Sequence, residues 1–200
     1  MERTAGLILA AGASSRMGKD KALLPWAGRT FLEPLLTALK NSQVGLVRVV
    51  LGANAAAVQE RIRFDTGEVV VNQDWEKGQL SSLLAALDTL PPQMVDAAVV
   101  CLVDHPAVSS RLIQALIEKF YETRQPIVLP TYHARRSHPV LFAASLFDEL
   151  RAAPLEVGAR HVVRQHAADV LEVPTEEEGI LLNINDPTAY EKILRIPPPG

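Results

Sequence analysis

The chain predicts an α/β fold, a mostly parallel sheet covered by helices on both faces. Short apolar runs of strand length alternate with stretches of helical period from end to end. The runs are nearly continuous rather than alternating polar and apolar, as expected of strands buried on both faces. Five of the six runs are also followed by a polar loop, and ligands of such sheets bind beyond the carboxyl ends of the strands. Strands are expected over residues 6–10, 46–51, 69–71, 97–103, 127–129 and 180–182.

The helices between them carry start signals. Thr30 followed by Glu33 is a capping box that opens a helix through Leu36 and Leu39, with Pro34 in its first turn. Ser109 or Ser110 caps a helix whose Leu112, Ile113, Leu116, Ile117 and Phe120 share one face. Asp186-Pro187 starts the last helix as N-cap plus N1 proline. Ser81 or Ser82 reads as the N-cap of the helix carrying Leu83, Leu84 and Leu87.

Composition sets the class. The 200 residues suffice for one core. With 48% apolar and 22% charged residues the chain reads as soluble and globular, without a membrane span or a signal-peptide layout. A net charge of −3 argues against general nucleic-acid binding. The single cysteine, Cys101, lies inside an apolar run and reads as a core residue in a cytoplasmic protein. No repeat, low-complexity linker or composition shift marks a second domain. Residues 1–195 therefore read as one domain and 196–200, Ile-Pro-Pro-Pro-Gly, as a loose tail.

Residues 7–21 are the most informative stretch. An apolar strand breaks into small residues with two glycines, then presents Arg16, Lys19 and Lys21. Small side chains let backbone N–H groups close on an anion, so this is a phosphate-binding arrangement. It is not a Walker A loop: five residues separate Gly12 from Gly18-Lys19, and Asp20 follows. Gly12, Ala13 and Ser14 do not supply a dinucleotide fingerprint either.

What the stretch resembles, in Leu9-Ala10-Ala11-Gly12, Ser14, Arg16-Met17-Gly18, Lys21 and Leu24-Pro25, is the signature of MobA-like nucleotidyltransferases, and among them the molybdenum cofactor cytidylyltransferase group. Further matches follow in order along the chain: Gly78 with Ser81, Ser82 and Leu83; Asp104-His105-Pro106; His138-Pro139-Val140-Leu141-Phe142; and Gly158-Ala159-Arg160. The resemblance implies a three-layer, Rossmann-like nucleotidyltransferase fold. It also implies transfer of NMP from an NTP to a phosphorylated acceptor, with release of pyrophosphate.

Residue by residue, the resemblance implies that Leu9, Ala10, Ala11, Gly12, Ser14, Arg16, Lys21, Gly78, Ser81, Ser82 and Asp104 bind the nucleotide. Arg16, Lys21 and Asp104 form its catalytic set. Asp104 follows seven apolar residues and suits a hard cation, Mg²⁺ or alternatively Mn²⁺, shared with phosphate oxygens; as a residue alone it equally suits a turn cap. Asn185 is the candidate second ligand. His138 and Arg160 face the acceptor, while His105, His161 and His166 read as structural. Ser137 stands where the resembled motif has glycine. A phosphate-monoester nucleophile is already ionised at neutral pH, so no general base is required.

Two features divide on the nucleotide. Leu-Ala-Ala-Gly resembles the CTP-using branch, with Ala11 a steric filter against a larger base, whereas Asn183-Ile184-Asn185 resembles the GTP-using branch. The expected partners are CTP, or GTP, and molybdopterin as acceptor, with a transient contact to a molybdoenzyme. Other readings are NMP transfer to a sugar phosphate, an isoprenoid-precursor phosphate or a phospholactate, or a non-catalytic molybdenum-cofactor carrier. A glycosyltransferase ranks low because no Asp-x-Asp follows the fourth strand.

Overall fold

Leu7 and Leu9 pack on one face of the central strand and Ile8 and Ala10 on the other, and all four are buried. That double burial is why the strands read as unbroken apolar runs. The computed structural model describes residues 3–13 and 20–197. In chain order, β1 (Thr4–Ala10) precedes a hairpin of β2 (Pro25–Trp26) and β3 (Arg29–Thr30), followed by α1 (Leu32–Lys40), β4 (Leu46–Leu51), α2 (Ala55–Arg61) and β5 (Val69–Val71). Next come α3 (Gln79–Leu87), β6 (Ala97–Leu102), α4 (Ser110–Thr123), β7 (Ile127–Tyr132), β8 (Arg135–Arg136) and β9 (Val140–Ala143). The chain ends with α5 (Phe147–Ala152), α6 (Arg160–Gln165), β10 (Val170–Pro174) and α7 (Pro187–Ile193).

The main sheet runs β10-β7-β9-β6-β1-β4-β5, with β8 paired to β7. Strands β6, β1, β4 and β5 are parallel, in register Leu7↔Val100 and Leu9↔Val50. β9 is antiparallel to both β6 and β7. One core, with Ile8, Val99 and Cys101, is covered by α1, α2, α4 and α7; the other, with Leu7, Val100 and Leu102, by α3, α5 and α6. The sheet is thus mostly parallel and sandwiched between helices. Cys101 is fully buried, and burial pushes its thiol up to about 12, which suits the core role read from its apolar run.

The helix starts follow their signals with two adjustments. Ser109 Oγ accepts from Leu112 N–H at 3.0 Å, and Asp186 Oδ1 accepts from Ala189 N–H at 2.9 Å. Glu33 accepts from the Thr30 N–H at 2.6 Å, but the Thr30 hydroxyl donates to the same carboxylate at 2.8 Å. The N-cap position of α3 belongs to Gly78, φ 99°, so neither Ser81 nor Ser82 caps that helix.

One strand expectation is corrected, and further strands appear. Residues 180–182 form no strand: Glu178–Leu181 is a 3₁₀ turn with Ile180 fully buried. A three-residue apolar run records burial, and burial without pairing satisfies it equally well. β9 pairs between β6 and β7, and β10 adds an edge strand beside β7, both beyond the expected set. The C-terminal segment is tied at its start, because the Ile196 carbonyl accepts from Trp26 Nε1 at 3.0 Å; residues 198–200 lie outside the described residues.

The Ser109 cap also donates to Glu177 Oε1 at 2.6 Å, linking α4 to the loop after β10. Ser109→Ala should cost about 1 kcal/mol of stability. Urea unfolding checks it: the midpoint should fall, and Ser109→Thr should recover most of the loss.

Candidate functional site

Because β6, β1, β4 and β5 are neighbours, the segments that follow them lie side by side along one sheet edge. Into this edge the turn Lys21–Leu23 brings Lys21. Asp20 fixes that turn by accepting from Ala22 N–H at 2.8 Å. The Lys21 ammonium donates to Asn185 Oδ1 and stands 3.7 Å from Asp104 Oδ2. Asn185 in turn donates from its amide to Asn183 Oδ1. The Ile184 N–H donates to the Asp104 carbonyl at 2.8 Å, which ties the loop before α7 to the end of β6. The Asp104 side chain keeps 22% of its surface exposed, so its carboxylate is supported yet reachable.

These residues line a cleft of about 290 Å³, together with Leu9, Ala10, Ala11, Gly12, Trp75, Gly78, Gln79 and Ser82. A Cβ added at Gly12 would meet nothing within 4 Å among the described residues. Among the described residues no group of three or more His, Cys, Asp and Glu side chains could hold a metal alone. The donor set fits a hard cation held by the Asp104 carboxylate, with the Asn185 amide beside it and the remaining positions filled by phosphate and water.

Ser81 does not line the cleft. It accepts from Asn72 Nδ2 at 3.0 Å and donates to the Gly78 carbonyl at 2.8 Å, with the Asp74 carbonyl at 3.0 Å. Its hydroxyl is therefore committed to holding the 72–78 loop. Ser82 accepts the second Asn72 amide proton at 3.1 Å and does reach the cleft. Asn72, buried at the end of β5, organises this loop, and Trp75 walls it. Sequence reasoning assigned neither, although both belong to a loop that follows a strand, the place such reasoning marks for ligands. Ser14 and Arg16 lie outside the described residues.

His138 and Arg160 meet in a second cavity of about 580 Å³, which shares Leu9, Gly78, Gln79 and Leu102 with the first. Its inner wall is apolar, including Leu80, Leu83, Val140 and Phe142. Among the described residues His138 Nδ1 is buried without a hydrogen-bond partner. Burial, and then the neighbouring His105 ring at 5.2 Å, push the His138 imidazole down to about 4 against the opposing pull of Asp104 and the Val100 backbone. His105 Nδ1 lies 3.0 Å from the Ile180 carbonyl, which only accepts, so that nitrogen carries the proton. Ser137 Oγ donates to the same carbonyl. Ser137 is not among the residues with positive φ, so a side chain is accommodated where the resembled motif has glycine.

A parallel sheet edge that presents a lysine, a carboxylate and a glycine backbone beside an apolar cavity defines a nucleotide-handling α/β protein. Residues 6–170 match the MobA-like NTP transferase domain, and the chain belongs to that family. A nicotine blue oxidoreductase of Paenarthrobacter nicotinovorans is 33% identical over 188 residues, 87% of this chain and 89% of its own. The molybdenum cofactor cytidylyltransferase of Escherichia coli (strain K12) is 27% identical over 95% of this chain and 97% of its own. A probable molybdenum cofactor guanylyltransferase of Bacillus cytotoxicus is 25% identical over 97% and 98%. Among solved structures, Rv0371c of Mycobacterium tuberculosis H37Rv superposes with a TM-score of 0.85 at 27% identity, over 96% of this chain and 98% of that one. Its complex with manganese superposes with a TM-score of 0.78 at 26% identity, over 96% and 98%.

The His138 shift has a stability consequence. Its folded value lies below the ordinary 6.5, so between those values the unfolded chain binds the extra proton. Stability should therefore fall as pH drops from about 6.5 toward 4, by up to about 3 kcal/mol from this residue. Denaturant midpoints across that window should fall less steeply in His138→Asn.

Proposed function

We propose that this protein is a Mg²⁺-dependent nucleotidyltransferase, also able to use Mn²⁺, that moves CMP from CTP to a phosphorylated acceptor. Molybdopterin is the acceptor named first, from the activity in the Escherichia coli relative's name. The observation that carries this reading is the convergence of Lys21, Asp104 and Asn185 at one end of the cleft.

In this reaction an acceptor phosphate oxygen forms a bond to the α-phosphorus, the bond to the β-phosphate bridging oxygen breaks, and pyrophosphate leaves with the electron pair. A divalent cation held by Asp104, with Asn185 as second ligand, would offset the triphosphate charge. Lys21 offers a point charge to the same phosphates. The Leu9–Gly12 backbone, Gly78 and Ser82 bind the nucleoside and phosphates, with Ser81 holding their loop. Ser14 and Arg16 complete the phosphate clamp. Arg160 offers its guanidinium to the acceptor phosphate, and His138 donates or accepts one hydrogen bond to the acceptor body. Because His138 is held neutral, it adds no charge there at physiological pH.

CTP is preferred on the Leu9-Ala10-Ala11-Gly12 sequence, whose Ala11 lines the cleft. GTP is the second reading, favoured by the Asn183-Ile184-Asn185 sequence and by the Bacillus relative's name. The whole of 1–195 acts as one cytoplasmic domain; among the described residues no helix is long and apolar enough to cross a membrane.

Pyrophosphate release from CTP and from GTP, with Mg²⁺ and molybdopterin, tests the reading. Release from CTP is expected. Pterin binding without release would make the protein a carrier, and dye reduction without release would move it to the activity named in the Paenarthrobacter relative.

Asp104→Ala should abolish metal-dependent turnover while leaving the thermal transition near the wild-type value, as seen by circular dichroism. Lys21→Ala should lose on the order of 10²–10³ in kcat. Asn185→Asp adds a carboxylate beside Asp104, so half-maximal activation should move to lower Mg²⁺ concentration in a metal titration.

A further inference from the structure

The far end of the cleft is closed by a residue to which no role has been assigned. β5 lies three strands from β6 along the sheet, so the 72–78 loop stands opposite Asp104. Trp75 occupies that loop, half-buried, packed on the apolar cluster that contains Leu9, Ala11 and Leu80, and lines the cleft. Its position is set from two sides. Below it, the buried Asn72 holds Ser81 and Ser82, and Asp74 N–H donates back to Asn72 Oδ1 at 2.9 Å. Beside it, Gly52 brings the backbone after β4 between Trp75 and Ala11. A Cβ on Gly52 would lie 2.4 Å from the Ala11 carbonyl oxygen, 2.7 Å from Trp75 Cβ and 2.9 Å from Ala11 Cβ. No side chain fits there, so Ala11 and the root of the Trp75 side chain close on the Gly52 backbone, and both residues line the cleft.

We infer that Trp75 is a specificity-determining residue of the nucleotide site, a rigid indole wall that admits a pyrimidine against Ala11 and excludes a purine. The inference rests on the nucleotide-transfer reading and locates its base selection in a second residue. An indole has few rotatable bonds and offers a flat apolar surface to a base. The Asn72 network holds the loop that carries it, Gly52 meets it at Cβ, and its ring packs on the apolar cluster, all of which oppose its retreat before a second ring. A neutral apolar wall also explains selection without a charged partner, since size discrimination in such a pocket is worth on the order of 10–200-fold.

The experiment compares wild type, Trp75→Ala and Trp75→Phe for kcat and KM with CTP and GTP. Wild type should prefer CTP. Trp75→Ala should lower the CTP-to-GTP ratio of kcat/KM by about 10-fold or more, through a higher KM for CTP and a lower one for GTP, while Trp75→Phe should fall between. An equal loss for both nucleotides, an unchanged ratio, or a wild-type preference for GTP would overturn the inference. A fluorescence titration separates this from failure of the transfer reading. Trp26 is buried at 1% exposure and hydrogen-bonded to Ile196, so it serves as an internal reference. CTP with Mn²⁺ should quench wild type beyond the level seen in Trp75→Phe. Quenching confined to Trp75 without any pyrophosphate release would retain the base wall and sink the reaction, whereas equal quenching in both proteins would sink the wall.

Discussion

One main-chain hydrogen bond, from the Ile184 N–H to the Asp104 carbonyl, governs the geometry at the sheet edge. Asp104 is delivered by β6 and Asn185 by a loop near the C-terminus, and nothing local brings them together. The bond fastens the two backbones, after which Asn185 can accept from Lys21 while Lys21 stands against Asp104. The Ile180 carbonyl reinforces the same junction, taking hydrogen bonds from His105 and Ser137. Buried polar groups without partners cost about 1–3 kcal/mol each, so these hydrogen bonds favour one arrangement of the junction. A single arrangement matters for the proposed chemistry, because charge stabilisation works best when donors and ligands need not reorganise.

The two cavities follow from the same layout. They share Leu9, Gly78, Gln79 and Leu102, so they adjoin at the β1 and β6 strand ends. The first cleft carries a cation and a carboxylate, whereas the second cavity has an apolar inner wall of Leu80, Leu83, Val140 and Phe142 with His138, Arg136 and Arg160 also lining it. In the proposed reaction this division sets Lys21 and Asp104 at the triphosphate, and the apolar wall with Arg160 at the acceptor. The neutral state of His138 suits that division, since a protonated ring would place charge inside the apolar wall.

Much of this was legible in the sequence, for physical reasons. β1 and β6 are buried on both faces and leave unbroken apolar runs, so they could be read directly; β4 and β5 are less buried but keep enough valine and leucine to be read as well. Caps at Ser109 and Asp186 depend on local bonds and were equally plain. Features fixed by distant partners were not. Ile180 is buried through a 3₁₀ turn rather than a strand, and its run of three cannot distinguish the two. β10 is a half-exposed edge strand ending in proline, so its apolar signal is diluted. Ser81 looked like a cap or a ligand, but Asn72, nine residues earlier, claims its hydroxyl. Trp75 and Gly52 carry no motif that assigns them to a site; their relation is a contact across two strand ends, visible only once β4 and β5 are paired.

The account rests on Asp104 as the anchor of a metal-bound triphosphate. The most direct measurement is the position of Mn²⁺ in crystals grown with CTP, located by anomalous scattering. The account predicts one ion bridging an Asp104 carboxylate oxygen and the phosphates, within reach of Asn185. An ordered nucleotide whose manganese lies away from Asp104, or CTP bound with its base toward Lys21 and its phosphates toward Trp75, would contradict it.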